Sequence, residues 1–121
     1  MKYISTRDTA RQPASFTDIL LGGLVPEGGL SLPESYPQLD SGTLNSWRRL
    51  LADKGYAALA AEVLKLFIDD IPAQDIEAIA VRAYTSPKFA DPEIVPVTEL
   101  GEGLFIGHLS EGPTAAFKDM A

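Results

Sequence analysis

Cysteine is absent from the 121 residues, and histidine occurs once, at His108. Without a thiol there is no disulfide, no thiolate metal site and no cysteine nucleophile, and a single imidazole is too few for a zinc centre. Basic residues are scarce: 10 Lys plus Arg stand against 17 Asp plus Glu, a formal net charge of -7 with a pI near 4.5. That sign repels phosphate backbones and anionic membranes, so neither nucleic acid nor a membrane surface is expected as a partner. Long apolar runs are missing as well. No stretch approaches the roughly 18 residues of a membrane span, and Met1 to Asp8 lacks the apolar core of a signal peptide. A cytoplasmic setting is the expectation.

What remains is an ordinary globular composition, 45% hydrophobic and 22% charged, well away from the disordered class. A mass of 13.0 kDa suffices for one core that hides roughly two thirds of the unfolded surface. Lys2 to Ser5 reads as a short strand. Ser15-Phe16-Thr17-Asp18 has capping-box form ahead of Ile19-Leu20-Leu21, and Gly22-Gly23 stops that helix. Gly23 to Glu34 is dense in Pro and Gly but keeps Leu24, Leu30 and Leu32, which predicts an ordered, packed loop.

Thr43 to Lys54 forms a second helix, with Trp47 expected in the core and Gly55 as terminator. Tyr56 to Asp69 carries Leu59, Val63, Leu66 and Phe67 on one face, with Glu62, Lys65 and Asp69 on the other. Pro72 starts a further helix whose buried stripe is Ile76, Ile79, Ala80 and Ala83, and Ser86-Pro87 ends it. The prolines at 87, 92 and 96 read as a connection, with a boundary near residue 95. Val95 to Leu100 and Leu104 to Leu109 are strand-like runs across Gly101-Glu102-Gly103, a hairpin signal. The expected class is α+β: three or four helices around one core, short strands, and a β-hairpin near the C-terminus.

Chemistry concentrates at the end of the chain. In Gly112-Pro113-Thr114-Ala115-Ala116-Phe117-Lys118-Asp119-Met120-Ala121, Thr114 is placed as a helix N-cap, and the helix after it is barely one turn long, which suggests truncation. Lys118 lies among small and apolar residues. If desolvated, its amine loses a proton more readily and becomes a nucleophile toward an aldehyde cofactor; otherwise it is a surface lysine in a first turn, the commoner case.

Three blocks carry a resemblance: Ser5-Thr6-Arg7; Gly23 to Glu34, including Gly28-Gly29-Leu30-Ser31-Leu32-Pro33-Glu34; and Leu109 to Asp119. In this order they resemble the amino-terminal portion of the threonine synthase family. That family's pattern around its cofactor lysine is Gly-Pro-Thr, two residues, Phe-Lys-Asp, matched here by Gly112, Pro113, Thr114, Phe117, Lys118 and Asp119. Ala115 stands where leucine is usual, and Glu111 where asparagine is common.

The resemblance implies that Lys118 carries pyridoxal 5'-phosphate as a Schiff base in a fold type II enzyme. The reaction implied converts O-phospho-L-homoserine and water to L-threonine and phosphate, with Lys118 as the base and acid. It implies a helical accessory domain over residues 1–95 and the opening of the cofactor domain over 96–121. The cofactor-phosphate loop and the residue facing the pyridine nitrogen lie in the part of the family's chain that this sequence does not match. The chain alone is therefore expected to be inactive, its partner being the rest of its own polypeptide. Alternatives are another fold type II lyase or dehydratase, or a stand-alone accessory domain acting as a binding module. Strand edges left unpaired by the missing domain would invite self-association.

Further site residues are open between two roles. Thr114 and its neighbouring amides serve either as donors to an anion or as a plain helix cap. Arg7, with Ser5 and Thr6 in the same block, either grips a phosphate or carboxylate or forms a salt bridge pinning the N-terminal strand. His108 is expected to be a satisfied core residue with no assigned role. Gly28-Gly29 fits neither a Walker loop nor a dinucleotide fingerprint and reads as a pair of turn glycines.

Overall fold

Residues 1–120 are described by the computed structural model; Ala121, the last residue of the expected second unit, lies outside the described residues. Strand β1 (Tyr3–Ser5) pairs antiparallel with β2 (Ser31–Pro33), setting Tyr3 against Pro33 and Ser5 against Ser31. Strand β2 falls inside the segment expected as loop. Gly and Pro on both sides hide three extended residues, and it is pairing with β1 that makes them a strand.

Helix α1 (Phe16–Gly22) starts at the capping box: the Ser15 hydroxyl accepts from Asp18 N at 3.1 Å, and Asp18 accepts in return. Gly23, at φ 69°, closes it. Helix α2 (Ser41–Lys54) begins where the Asp40 carboxylate accepts from Thr43 N at 2.7 Å, two residues earlier than the spacing predicts. Gly55, at φ 79°, turns the chain into α3 (Tyr56–Phe67), and α4 (Ala73–Ala83) follows Pro72.

Ala61, Ile68, Ile76 and Ala80 form the buried centre, with Phe16, Leu64, Phe67, Ile71 and Tyr84 packed around it. The two alanines let α3 and α4 approach closely. A helix turns about 100° per residue, so Ile79, next to the fully buried Ala80, points outward and stays 45% exposed, contrary to the expected stripe. Val63 is likewise exposed. Trp47 is only half-buried instead of in the core, because α2 leans on α3 along one side and buries no residue fully.

Tyr3 joins the strand pair to this core. Its ring lies 6.0 Å from that of Phe16, and its hydroxyl donates to the Phe67 carbonyl at 2.8 Å. The connection after α4 is packed, not loose: Phe89 and Ile94 are both buried. Strands β3 (Val97–Gly101) and β4 (Leu104–Gly107) form the expected hairpin. His108 follows it, half-buried outside the core, with Nε2 2.8 Å from Thr98 Oγ1.

Every residue of that hairpin is exposed, including Val97, Leu104 and Phe105. A second apolar patch runs over Leu20, Leu21, Leu24 and Leu30, with Leu24 93% exposed. The accessible surface totals 8558 Å². A folded monomer of this mass exposes about 6,300 Å². No helix among the described residues is long and apolar enough to cross a membrane.

Candidate functional site

The C-terminal motif folds back on itself around Asp119. The Thr114 amide donates to Asp119 Oδ2 at 2.8 Å, and its hydroxyl donates to Oδ1 at 2.7 Å. These bonds hold the Asp119 carboxyl below its ordinary pKa, the hydroxyl bond having the larger effect. Gly112 makes the fold-back possible: a Cβ there would lie 2.6 Å from Asp119 Oδ2 and 2.8 Å from its Cγ. Ala115 takes φ 53° in the turn between them.

A 3-10 helix, Phe117–Met120, closes the segment. Thr114 is therefore not the N-cap of an α-helix. Both its donors are taken up by Asp119, so they are not aimed at an outside anion. The Tyr84 hydroxyl donates to the Met120 carbonyl at 2.8 Å, and Ala90 N donates to the Glu111 carbonyl at 2.8 Å, which fastens the motif to the end of α4 and to the connection.

Lys118 is exposed on this short helix, and Phe117 beside it is 67% exposed. The desolvated lysine is thus not what this chain presents. The segment packs through Asp119 and Met120, which turns Phe117 and Lys118 outward. Lys118 has no ion pair or hydrogen bond among the described residues.

The N-terminal motif gathers at the other sheet. Thr6 extends the β1–β2 pairing: its amide donates to the Leu30 carbonyl at 2.9 Å, and its hydroxyl accepts from Leu30 N at 3.0 Å. Ser5 Oγ accepts from Arg7 N at 3.2 Å. Gly29 is the point of closest approach, where a Cβ would stand 2.5 Å from Ser5 Oγ and 3.1 Å from both Arg7 N and Thr6 Oγ1. Gly28, at φ 70°, turns beneath the Arg7 guanidinium and would put a Cβ 3.3 Å from Arg7 Nη1. Two of the sequence blocks therefore form one structure. The salt bridge weighed for Arg7 is not formed among the described residues.

Residues 2–84 match the family model for the threonine synthase N terminus. The chain belongs to the threonine synthase family. It is 68% identical over 121 residues to threonine synthase of Corynebacterium glutamicum, covering all of this chain and 25% of that one. The solved pyridoxal-phosphate-bound threonine synthase of Brucella melitensis superposes with TM-score 0.80 at 39% identity, over 98% of this chain and 24% of the other. The yeast threonine synthase structure gives TM-score 0.81 at 34% identity, over 98% and 23%. The chain thus spans about a quarter of the length of the threonine synthases it matches.

Ser5, Arg7 and the Gly28-Gly29 turn lie within the residues the family model matches, whereas Thr114 and Lys118 lie past residue 84, in the part of the chain that the Corynebacterium glutamicum enzyme also matches. No hydrogen bond or ion pair among the described residues joins the two groups. Sequence reasoning quoted Gly29, Gly112 and Asp119 without finding their work. The five-residue separation of Thr114 and Asp119 is neither a capping nor a helical spacing, so only the folded turn reveals the pair.

Proposed function

We propose that this chain acts as the leading quarter of a threonine synthase that converts O-phospho-L-homoserine and water to L-threonine and phosphate in the cytoplasm. Residues 1–95 form its helical accessory domain, and 96–121 open its cofactor domain. Lys118 holds pyridoxal 5'-phosphate through Nζ. The observation that carries this is an amine with no ion pair, presented on a short helix that Asp119, Thr114 and Tyr84 fix in place. Such an amine suits an aldehyde partner, and when bound the cofactor supplies an electron sink for the carbon chemistry.

The chain's own residues have separate tasks. Lys118 Nζ accepts and returns protons at the reacting carbons. Thr114 positions the loop instead of binding an anion, since its donors hold Asp119. Arg7 and Ser5 bind a phosphate or carboxylate of the substrate. The exposed faces of β3–β4 and Phe117, with surface well above that of a folded monomer, support a partner in the remainder of the polypeptide.

Alone, the chain turns nothing over, because Lys118 has no enclosing shell among the described residues. The test is phosphate release from O-phospho-L-homoserine by a protein of the relatives' length that carries this chain, with and without Lys118→Ala. Release is expected from the parent and not from the variant. Equal release from both would overturn the role of Lys118.

A further inference from the structure

Beside the β1–β2 pair lies an open depression of about 410 Å³, lined by Ile4, Ser5, Thr6, Arg7, Asp8, Thr9, Arg11 and Leu32. In a chain with a net charge of -7 two arginines, Arg7 and Arg11, line it. The carboxylate between them does not neutralise either one. Asp8 Oδ1 accepts from Ala10 N and Oδ2 from Gln12 N, both at 2.8 Å, so it is turned onto its own backbone. Neither Arg7 nor Arg11 has an ion pair among the described residues.

Both arginines are placed by the backbone. Arg7 lies over the bare Cα of Gly28. Arg11 takes φ 47°, a left-handed conformation held while its amide donates to the Asp8 carbonyl at 3.3 Å. The Ser5 hydroxyl accepts from Arg7 N, which leaves its own hydrogen to donate.

We propose that this depression binds a tetrahedral oxyanion of the phosphate class, gripped by Arg7 and Arg11 with Ser5 and Thr9 donating from the rim. This deepens the part of the proposed function that gives Arg7 and Ser5 an anion, and it does not depend on Lys118. Two planar forks suit a dianion with three free oxygens, whereas a carboxylate satisfies one fork and leaves the other charge unmatched. The space exceeds a bare phosphate and admits the small organic part of a monoester.

The experiment titrates the chain with inorganic phosphate, methyl phosphate and acetate, at an ionic strength held constant with chloride. Arginine Nε–Hε signals are followed by NMR. Saturating shifts at Arg7 and Arg11, and none at Arg48 on α2, are expected for both phosphates, with acetate about tenfold weaker or more. Equal affinity for phosphate and methyl phosphate identifies the phosphoryl group as the ligand, and tighter methyl phosphate adds a contact to the organic part. Arg7→Lys keeps the charge but loses the fork, and weakens phosphate about tenfold. Arg11→Gln, which leaves the β1–β2 contacts intact, weakens it independently. Non-saturating shifts, the same response to chloride, or unchanged affinity in both variants overturns the site. Cofactor attachment at Lys118 is unaffected by any of these results, so the two readings fail separately.

Discussion

Gly29→Ala is the substitution that most cleanly separates close approach from backbone freedom. Gly29 does not lie in the left-handed region, so alanine suits its backbone and the whole effect comes from the added methyl. That methyl meets Ser5 Oγ at 2.5 Å, Arg7 N at 3.1 Å and Thr6 Oγ1 at 3.1 Å. Rotating Ser5 relieves the first contact but breaks the bond from Arg7 N. The second contact is with backbone and yields only if β1 and the Gly28-Gly29 turn move apart. The lost hydrogen bond costs about 1 kcal/mol, and overpacking brings the total to about 1–3 kcal/mol.

In urea, with a slope of about 1.5 kcal/mol/M for a chain this small, the unfolding midpoint falls by about 0.7–2 M. Gly22→Ala is the control. It lies at the end of α1 with nothing within 4 Å of its added Cβ, so the same chemical change leaves stability equal or raises it by up to about 1 kcal/mol. Equal midpoints for Gly29→Ala and the parent would refute the packing of Ser5-Thr6-Arg7 against the glycine turn.

Further outcomes follow from the core and the carboxylates. Ile76→Ala, at a buried position, costs about 2–5 kcal/mol by thermal or urea unfolding, whereas Ile79→Ala on the same helix costs under about 1 kcal/mol. The hydroxyl and amide of Ser15 hold the Asp18 carboxyl below its ordinary pKa. A depressed folded pKa stabilises the fold above the unfolded value, and that contribution disappears as pH falls below about 4. Asp18→Asn should flatten the acid limb of a stability-against-pH curve, and an unchanged limb would contradict the capping box. Burial raises the Tyr84 phenol above 10.0, as it does those of Tyr3 and Tyr56, so stability drops as pH climbs past that value, and Tyr84→Phe should lessen that drop.

Much of this was legible in the sequence because local rules sufficed. The Ser15–Asp18 box, the glycines at 23 and 55, Pro72 and the Gly101-Glu102-Gly103 hairpin each act within a few residues of chain. Strand β2 was hidden because its partner lies more than twenty residues away and its flanks are turn residues. Trp47 and Ile79 were misplaced for a different reason. Periodicity finds an apolar face but not which neighbour covers it, and the contact between α3 and α4 runs through alanines, leaving larger side chains outside. At the site, Lys118 was singled out by its small and apolar neighbours and by the family resemblance, and the fold leaves it exposed. The close approach of Gly112 and Asp119 was invisible because a φ of 53° at Ala115 bends the chain in a way composition does not announce.

Attachment of the cofactor at Lys118 is the step on which the proposed function turns. The decisive measurement is mass spectrometry of its peptides after pyridoxal phosphate is fixed with borohydride. A reduced pyridoxyl group is expected on the peptide containing Phe117-Lys118-Asp119, and no label in Lys118→Ala. Label on another lysine, or an unmodified Lys118 in the active protein, would contradict it.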